Sequence, residues 1–320
     1  MTQRIELHDQ TDLECEYLDC FLETQCVPQN LFYLMGGATS FTYYRDRDLT
    51  QIAWENEARF LESELSRGED DLWAFVSLGC GNAGPDAGLL RHLVTSHRNW
   101  HYYGVDSSEA MLNLAEDNLE PFSCDSHVVL ADFCKDEFVM SLEQLLAPYD
   151  QRLFAMMGGT FGNFDQDWIA DLLKTLIPAG DYLYLDIVPQ FSSDDANASL
   201  RERLSHLPDN LHRFFVDLLT RLDIPMDRGR LVSDEHPEEG LNAIRFTFSY
   251  EAQRPTTITY AQGTLNLLPG DRIELLTIRA YDIEHLIAFM SDRDFYLQSR
   301  YMPEAPDLKH LWQRLLFRKV

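Results

Sequence analysis

Apolar and polar positions alternate regularly between residues 73 and 188. Short apolar runs are separated by longer stretches in which apolar residues recur every three or four positions. The short runs predict buried strands, and the periodic stretches predict amphipathic helices. The runs occupy residues 73–78, 102–105, 127–130, 152–157 and 182–188. This alternation predicts an α/β fold with a doubly wound, mostly parallel sheet.

The pattern differs on either side of this region. Residues 10–26 and 50–66 have helical periodicity, whereas residues 191–240 are polar and mostly helical. Within them, the acidic run 234–239 predicts a solvated loop. Three strand-like segments then predict an antiparallel sheet, and a helix, a strand and a helix follow. The three segments are 243–250, 256–268 and 272–281, and the later elements are 283–291, 295–301 and 307–317.

These patterns predict two domains. Residues 60–190 and 282–320 would form the Rossmann-like sheet domain. Residues 1–59 and 191–281 would form an inserted α+β domain that binds the substrate and caps the site. The sequence does not indicate an oligomeric state.

Composition narrows the class of protein. Fifty-three Asp and Glu against 26 Lys and Arg give a net charge of −27, which disfavours nucleic-acid partners. No apolar run approaches about 18 residues, so we expect neither a membrane span nor a secretory signal. The six cysteines include no CxxC pair or Cys/His cluster. We therefore expect free thiols, no metal site and a cytoplasmic location.

The glycine-rich stretch after the first strand carries the first candidate site. Gly79, Cys80 and Gly81 follow the apolar run directly, and Asp106 ends the second strand. Glycines allow a tight turn and a close approach of a ligand to the backbone, and an acid at this distance suits a ribose. Two enzyme classes share this arrangement: nicotinamide dehydrogenases and S-adenosylmethionine (SAM) methyltransferases.

The end of the third strand favours SAM. Asp132 can accept a hydrogen bond from an adenine amino group, and Phe133 can stack on the ring. SAM has no phosphates, so two carboxylates in the site are not repelled by the ligand and suit its sulfonium cation. Ser107 and Gly158, which follow the second and fourth strands, complete the predicted cofactor set.

The motifs LGCGNAG, GVD and ADF resemble those of class I SAM methyltransferases. The segment MGGTFGNF, residues 157–164, is similar to the GSTIGNF motif of the histidine-specific methyltransferases, which trimethylate histidine in ergothioneine biosynthesis. The resemblance implies that Asn163 binds the substrate amino acid. Tyr33 in LFYL and Tyr43-Tyr44 in TYYRDR resemble that family's YFYD and EYYPTR segments, which implies that these tyrosines line the acceptor pocket.

Two departures from the family pattern bear on the substrate. Leu276 and Ile278 stand where the family motif IRTEIS has the glutamate and serine that bind imidazole, and Pro85 stands near a usual lysine. Apolar side chains would leave imidazole nitrogens unpaired, at a cost of about 1–3 kcal/mol each. We therefore expect SAM-dependent N-methylation of a small amino-acid-like molecule other than histidine. The alternatives are an NAD-dependent oxidoreductase and a non-catalytic SAM-binding protein.

Overall fold

The computed structural model describes residues 2–28, 31, 51–65, 71–95, 99–122, 124–190, 209–302 and 312–320. Tyr33, Tyr43 and Tyr44 lie outside these ranges. The strands are β1 Gln3–Glu6, β2 Leu72–Leu78, β3 Asn99–Asp106, β4 Asp125–Leu130, β5 Gln151–Met156, β6 Tyr182–Pro189, β7 Gly229–Glu238, β8 Ala243–Ala252, β9 Thr256–Thr259, β10 Thr264–Leu267, β11 Arg272–Tyr281, β12 Phe295–Tyr301 and β13 Gln313–Lys319. The helices are α1 Gln10–Thr24, α2 Gln51–Glu64, α3 Gly84–Leu93, α4 Glu109–Leu119, α5 Asp136–Leu146, α6 Gln166–Leu176, α7 Asp209–Arg221 and α8 Ile283–Ser291.

The central sheet has the strand order β1-β4-β3-β2-β5-β6, and all of these strands are parallel. β13 continues the sheet antiparallel to β6, and β12 pairs with β13. The strand order reverses direction between β2 and β5. The structure thus confirms the predicted doubly wound, mostly parallel sheet. Across the described ranges, no helix combines the length and apolar content needed to cross a membrane.

Helices cover both faces of this sheet, which explains why its inner strands are apolar along their whole length. All eight residues of β6 are buried, as are the residues of β2 from Trp73 onward. Leu89 of α3 and Leu112 of α4 pack in one cluster on one face. Phe138 of α5 and Leu173 of α6 pack in another on the opposite face.

The region after β6 extends the sheet. β7, β8 and β11 are antiparallel neighbours, and β11 joins β6 in parallel through the pairs Ala280–Val188 and Tyr281–Pro189. Phe214 and Phe215 of α7 pack in a third apolar cluster with these strands, and Phe21 of α1 belongs to the same cluster. A ligand site can therefore form where the end of β6 meets β11.

Two element predictions were wrong because a short segment does not show its partners. The acidic run 234–239 belongs mostly to β7, where backbone pairing with β8 and ion pairs of Asp234 and Glu238 with arginines offset the low strand propensity of acids. The described residues 312–320 form strand β13, where the sequence predicted the end of a helix over 307–317. Its apolar run Leu315–Phe317 is fully buried, and such a short run fits a buried strand as well as a helix.

Two further differences are smaller. Residues 256–268 form the hairpin β9–β10 in place of one strand. β1 was not predicted, because its four residues, QRIE, are mostly polar and it pairs at the edge of the sheet. The two-domain division stays a prediction. Phe21 packs with the region after β6, whereas Trp54 and Ala58 pack in the cluster of β2.

Candidate active site

An open cleft lies beyond the carboxyl ends of the parallel strands, where ligands bind in sheets of this kind. Its empty volume, which includes open solvent, is about 1310 Å³. The cleft brings together every described residue that the sequence singled out for a site. These are Gly79, Cys80, Gly81, Asp106, Ser107, Asp132, Phe133, Gly158, Asn163, Leu276 and Ile278. We call the part around Asp106 and Asp132 the acidic half, and the part around Leu276 and Ile278 the apolar half.

The glycine turn after β2 is fixed by its own backbone. The amides of Gly79 and Cys80 both donate to the carbonyl of Val105 on β3, at 2.9 and 3.0 Å. Gly79 has φ +70°, and a Cβ there would lie 3.1 Å from Cγ2 of Thr160. A larger residue would therefore be strained and would press on the opposite wall. The turn leads directly into α3, which has Pro85 in its first turn.

Asp106 connects this turn to the start of α4. Its carboxylate accepts hydrogen bonds from the amides of Gly81 and Ser108, both at 2.9 Å. Burial raises the pKa of Asp106 from 3.8 to about 6, although these amides lower it, and Asp132 nearby adds to the rise. Asp106 is thus held rigidly, and its ionised form would gain from a ligand that donates hydrogen bonds or carries positive charge.

Asp132 is held from three sides. Its Oδ1 accepts from the amide of Cys134 at 2.9 Å, and its Oδ2 accepts from the hydroxyl of Tyr17 at 2.5 Å. Its own amide donates to Nδ1 of His8 at 2.9 Å. Tyr17 and His8 were missed by sequence reasoning, because they lie 115 and 124 positions away and no local motif marks them.

A buried ionic network shapes the turn after β5. The amide of Gly158 donates to Asp186 at 2.8 Å, and Arg314 of β13 binds both Asp186 and Glu57. Gly159 has φ +79°, and a Cβ there would lie 2.9 Å from the ring of Trp312. Glycine is therefore required at this position by both backbone and packing.

The loop that carries Asn163 is clamped from β11. The guanidinium of Arg279 donates to the carbonyls of Gly162 and Phe164, at 3.0 and 2.7 Å, on either side of Asn163. Arg279 also forms a bidentate ion pair with Glu238 of β7, at 2.8 and 3.1 Å. Arg279 is 7% exposed. Sequence reasoning missed this pair because it assigned Glu238 to a solvated loop.

A second contact supports the same loop. Tyr281, also on β11, donates from its hydroxyl to Oε1 of Gln166 at 2.7 Å. The amide of Gln166 in turn donates to the carbonyls of Phe161 and Phe164, at 3.1 and 2.8 Å. The side chains of β11 thus set the backbone around Asn163, which lines the cleft between its acidic and apolar halves.

The apolar half is assembled from distant parts of the chain. Leu276 and Ile278 of β11 contribute two of its side chains, and residues from β6, α7 and the position just before β13 complete it. The further apolar lining residues are Ile187, Val188, Leu211, Phe214 and Trp312. The charged side chain on this side, Arg279, is occupied by Glu238 and the loop carbonyls. The described side chains of this half therefore present a mainly apolar surface to the cleft.

Two kinds of chemistry find no support in the geometry. Burial raises the pKa of the Cys80 thiol well above its usual value, with further increases from Asp106 and Asp86, so Cys80 is no thiolate nucleophile. Over the ranges that the structure describes, no group of three or more His, Cys, Asp or Glu side chains is placed to bind a metal ion.

Residues 23–314 match the model of a family described as histidine-specific methyltransferases, SAM-dependent. The chain belongs to this family. Its activity is therefore SAM-dependent methyl transfer, and its cofactor is SAM. Of the two enzyme classes that share the glycine turn, the family match supports the SAM methyltransferases and excludes the dehydrogenases. A search of curated proteins gave no match.

Several solved structures are similar to the chain. A SAM-dependent methyltransferase from Clostridium acetobutylicum is 12% identical, with a TM-score of 0.44 over 86% of this chain and 93% of that one. One from Anabaena variabilis is 13% identical, with a TM-score of 0.45 over 88% and 95%. The 1,6-didemethyltoxoflavin-N1-methyltransferase of Burkholderia thailandensis is 11% identical, with a TM-score of 0.42 over 97% and 87%.

Proposed function

We propose that this methyltransferase acts in the cytoplasm and methylates a nitrogen of a small amino-acid-like molecule with an apolar body, and that histidine is not its acceptor. The observation that carries the proposal is the position of Leu276 and Ile278 in the same cleft as Asn163 and the two carboxylates. The net charge of −27 favours a small molecule over a nucleic acid as the acceptor.

In this proposal the acidic half holds the cofactor. Asp106 accepts hydrogen bonds from the ribose hydroxyls, and Asp132 accepts one from the adenine amino group. Phe133 lies against the adenine. The backbone of the glycine turn, with Ser107 and Gly158, surrounds the rest of the molecule. These residues fit SAM for two reasons. SAM carries a positive charge and no phosphate, so the two carboxylates attract it, and the glycine turn lets the ligand approach the backbone closely.

Bound SAM supplies a methyl group attached to a positively charged sulfur. The chain contributes alignment of the acceptor, which can lower the barrier by about 7–11 kcal/mol. Asn163 orients the amine or carboxylate of the acceptor, because its amide both donates and accepts hydrogen bonds. Arg279 and Gln166 keep Asn163 in place through the loop backbone. We assign Tyr33, Tyr43 and Tyr44 to the lining of the acceptor pocket, on the basis of the family resemblance.

The apolar half argues against histidine. An imidazole placed against Leu276 and Ile278 would lose hydrogen bonds to water without gaining new ones, at about 1–3 kcal/mol for each nitrogen. An aliphatic or aromatic side chain loses nothing there and gains about 25 cal/mol for each Å² of apolar surface that it buries.

The test is to incubate the enzyme with methyl-labelled SAM and a metabolite extract, and to identify labelled products by mass spectrometry. We expect an N-methylated amino acid or amine with an apolar body. Asn163→Ala should lose the product and still bind S-adenosylhomocysteine (SAH) in calorimetry. Labelled methylhistidine as the main product would refute the assigned acceptor. SAH binding without any labelled product would refute a small metabolite as the acceptor.

A paired substitution tests the exclusion of histidine directly. Leu276→Glu with Ile278→Ser restores the polar groups of the family motif. Pairing at least one imidazole nitrogen should raise methylation of histidine about tenfold or more over the wild type, measured with the same labelled SAM. Leu276→Met with Ile278→Val keeps the wall apolar and should show no such gain.

A further inference from the structure

The N-terminal segment packs against the acidic half of the cleft. β1 pairs with β4, and the amides of Leu7 and His8 then donate to the carbonyl of Leu130 at the end of β4, at 3.0 and 3.3 Å. The amide of Glu109 donates to the side chain of Gln10 at 2.7 Å. Residues just before α1 and at its start therefore anchor the segment. They bind the two strand-to-helix connections that follow β3 and β4 and border the cleft.

This anchoring brings two side chains to Asp132. Tyr17 donates from its hydroxyl to Oδ2 at 2.5 Å, and Nδ1 of His8 accepts from the backbone amide at 2.9 Å. Asp132 is 4% exposed. With Cys134 on Oδ1, these contacts fix both the backbone and the rotation of the carboxylate. Two of the three partners come from the N-terminal segment, and the third, Cys134, lies two residues after Asp132.

Such fixing matters for a carboxylate that recognises a ligand. A carboxylate oxygen can accept more than one hydrogen bond, so the hydroxyl of Tyr17 orients Oδ2 without excluding a second donor. An acceptor held in place before binding loses less conformational freedom when the ligand arrives.

We propose that Tyr17, supported by His8, is a positioning residue for adenine recognition, and that the N-terminal segment is therefore part of the SAM site. The inference rests on the proposed assignment of Asp132 to the adenine amino group. Both residues precede the family match, which begins at residue 23. In this proposal the segment acts on the cofactor through Asp132, from outside the matched region.

The test compares two ligands by calorimetry with the full chain. SAH carries the adenine amino group, whereas S-inosylhomocysteine has a carbonyl oxygen in its place. Tyr17→Phe should weaken SAH binding about 3- to 10-fold, and S-inosylhomocysteine binding less than about 2-fold. In an Asp132→Ala background, Tyr17→Phe should no longer change SAH affinity. Unchanged SAH binding in Tyr17→Phe, or equal loss for both ligands, would overturn the proposal.

Control variants separate this role from a general structural one. Tyr260→Phe removes a hydroxyl that donates to the carbonyl of Leu222, away from the cleft, and should leave SAH affinity unchanged. His8→Gln keeps an acceptor for the amide of Asp132, whereas His8→Leu does not, so only His8→Leu should weaken SAH binding. Equal effects of the two His8 variants would contradict the supporting role of His8.

Failure of the proposed cofactor site would give a different result. If Asp132→Ala alone left SAH affinity unchanged, the assignment of Asp132 to adenine would fall, and the inference about Tyr17 with it. If Asp132→Ala weakened SAH binding and Tyr17→Phe did not, the cofactor site would stand and only the role of Tyr17 would be refuted.

Discussion

The two halves of the cleft are built in opposite ways. The acidic half comes from successive strand-to-helix connections between Gly79 and Phe133, and backbone amides hold its Asp106. The apolar half is made by side chains from β6, α7 and β11 and by Trp312, which precedes β13. The loop of Asn163, between the halves, is held by the side chain of Arg279, which bridges two carbonyls and Glu238.

This difference separates the proposed cofactor site from the wall of the proposed acceptor pocket. The glycine turn and Asp106 depend little on changes elsewhere in the chain, because their contacts lie within one supersecondary unit. A wall of side chains from four places can be altered by one substitution at a time without disturbing the cofactor. Leu276 and Ile278 are such changes relative to the family motif, and they leave the acidic half intact.

The largest expected effect would break the acidic half alone. Asp106→Ala removes the proposed acceptor of two ribose hydroxyls, and hydrogen bonds to a charged group contribute about 1.5–3 kcal/mol each. We expect SAH affinity, measured by calorimetry, to fall by more than about a hundredfold. Asn163→Ala, on the other side of the cleft, should leave it unchanged. Equal losses in the two variants would show that the halves are not independent.

The next effect would break the support of the Asn163 loop. Arg279→Met removes the donor to two loop carbonyls and leaves Glu238 only its longer ion pair with Arg245, at 3.5 Å. Removing one partner of a buried ion pair costs about 3–5 kcal/mol, and we expect about 3 because Glu238 is a quarter exposed. Urea unfolding measures this loss, while SAH affinity should change less than about threefold.

The exposed pair on the neighbouring strands is the control for Arg279. Arg230→Met removes an ion pair with Glu251 in which the arginine is 59% exposed, so the unfolding free energy should fall by less than about 1 kcal/mol. Similar losses for Arg230→Met and Arg279→Met would mean that the clamp has no special role.

The smallest expected effect is the change of SAH affinity with pH, which tests the protonation of Asp106 in the acidic half. Because burial raises the pKa of Asp106 to about 6, this carboxyl takes up a proton on folding between about pH 4 and 6. Ionised Asp106 therefore costs folding free energy above about pH 6, and this cost disappears as pH falls below about 4. Ligand binding should favour the ionised form, so SAH affinity should fall by up to about tenfold per pH unit below about pH 6. Calorimetry over this range measures the slope.

Asp106→Asn provides the matched control for the pH series. Its affinity is expected to be low and to change little with pH, because the side chain no longer titrates. A slope that persists in Asp106→Asn would assign the pH dependence to another group in the cleft.

The acidic half could be predicted from sequence because its signals are local. Apolar runs mark the strands, and glycines mark the turn. Asp106 and Asp132 lie at the ends of two such runs, 27 and 53 residues after Gly79. The sheet places these strand ends side by side, so position in the sequence translated into position in the cleft. In the apolar half, only Leu276 and Ile278 could be predicted from sequence, because a family motif marks their positions.

The residues that support the site could not be predicted, because a charge or hydroxyl in a sequence does not reveal its partner. Arg279 and Glu238 lie 41 positions apart, Tyr17 and Asp132 lie 115 apart, and Arg314 and Glu57 lie 257 apart. The tertiary packing of helices and strands, and not any local pattern, brings each pair together. An acidic run such as 234–239 therefore reads as a solvated loop until its partners are known.

The ion pair between Arg314 and Asp186 can form only late in translation. Asp186 precedes Arg314 by 128 residues, and ribosomes add about 5–20 residues per second. Roughly 6 to 26 s therefore separate the two residues during translation. The strands that carry the glycine turn, Asp106 and Asp132 are all made before this interval begins. The amide of Gly158 donates to Asp186, so the turn that carries it gains its full ionic support only after Arg314 has been made.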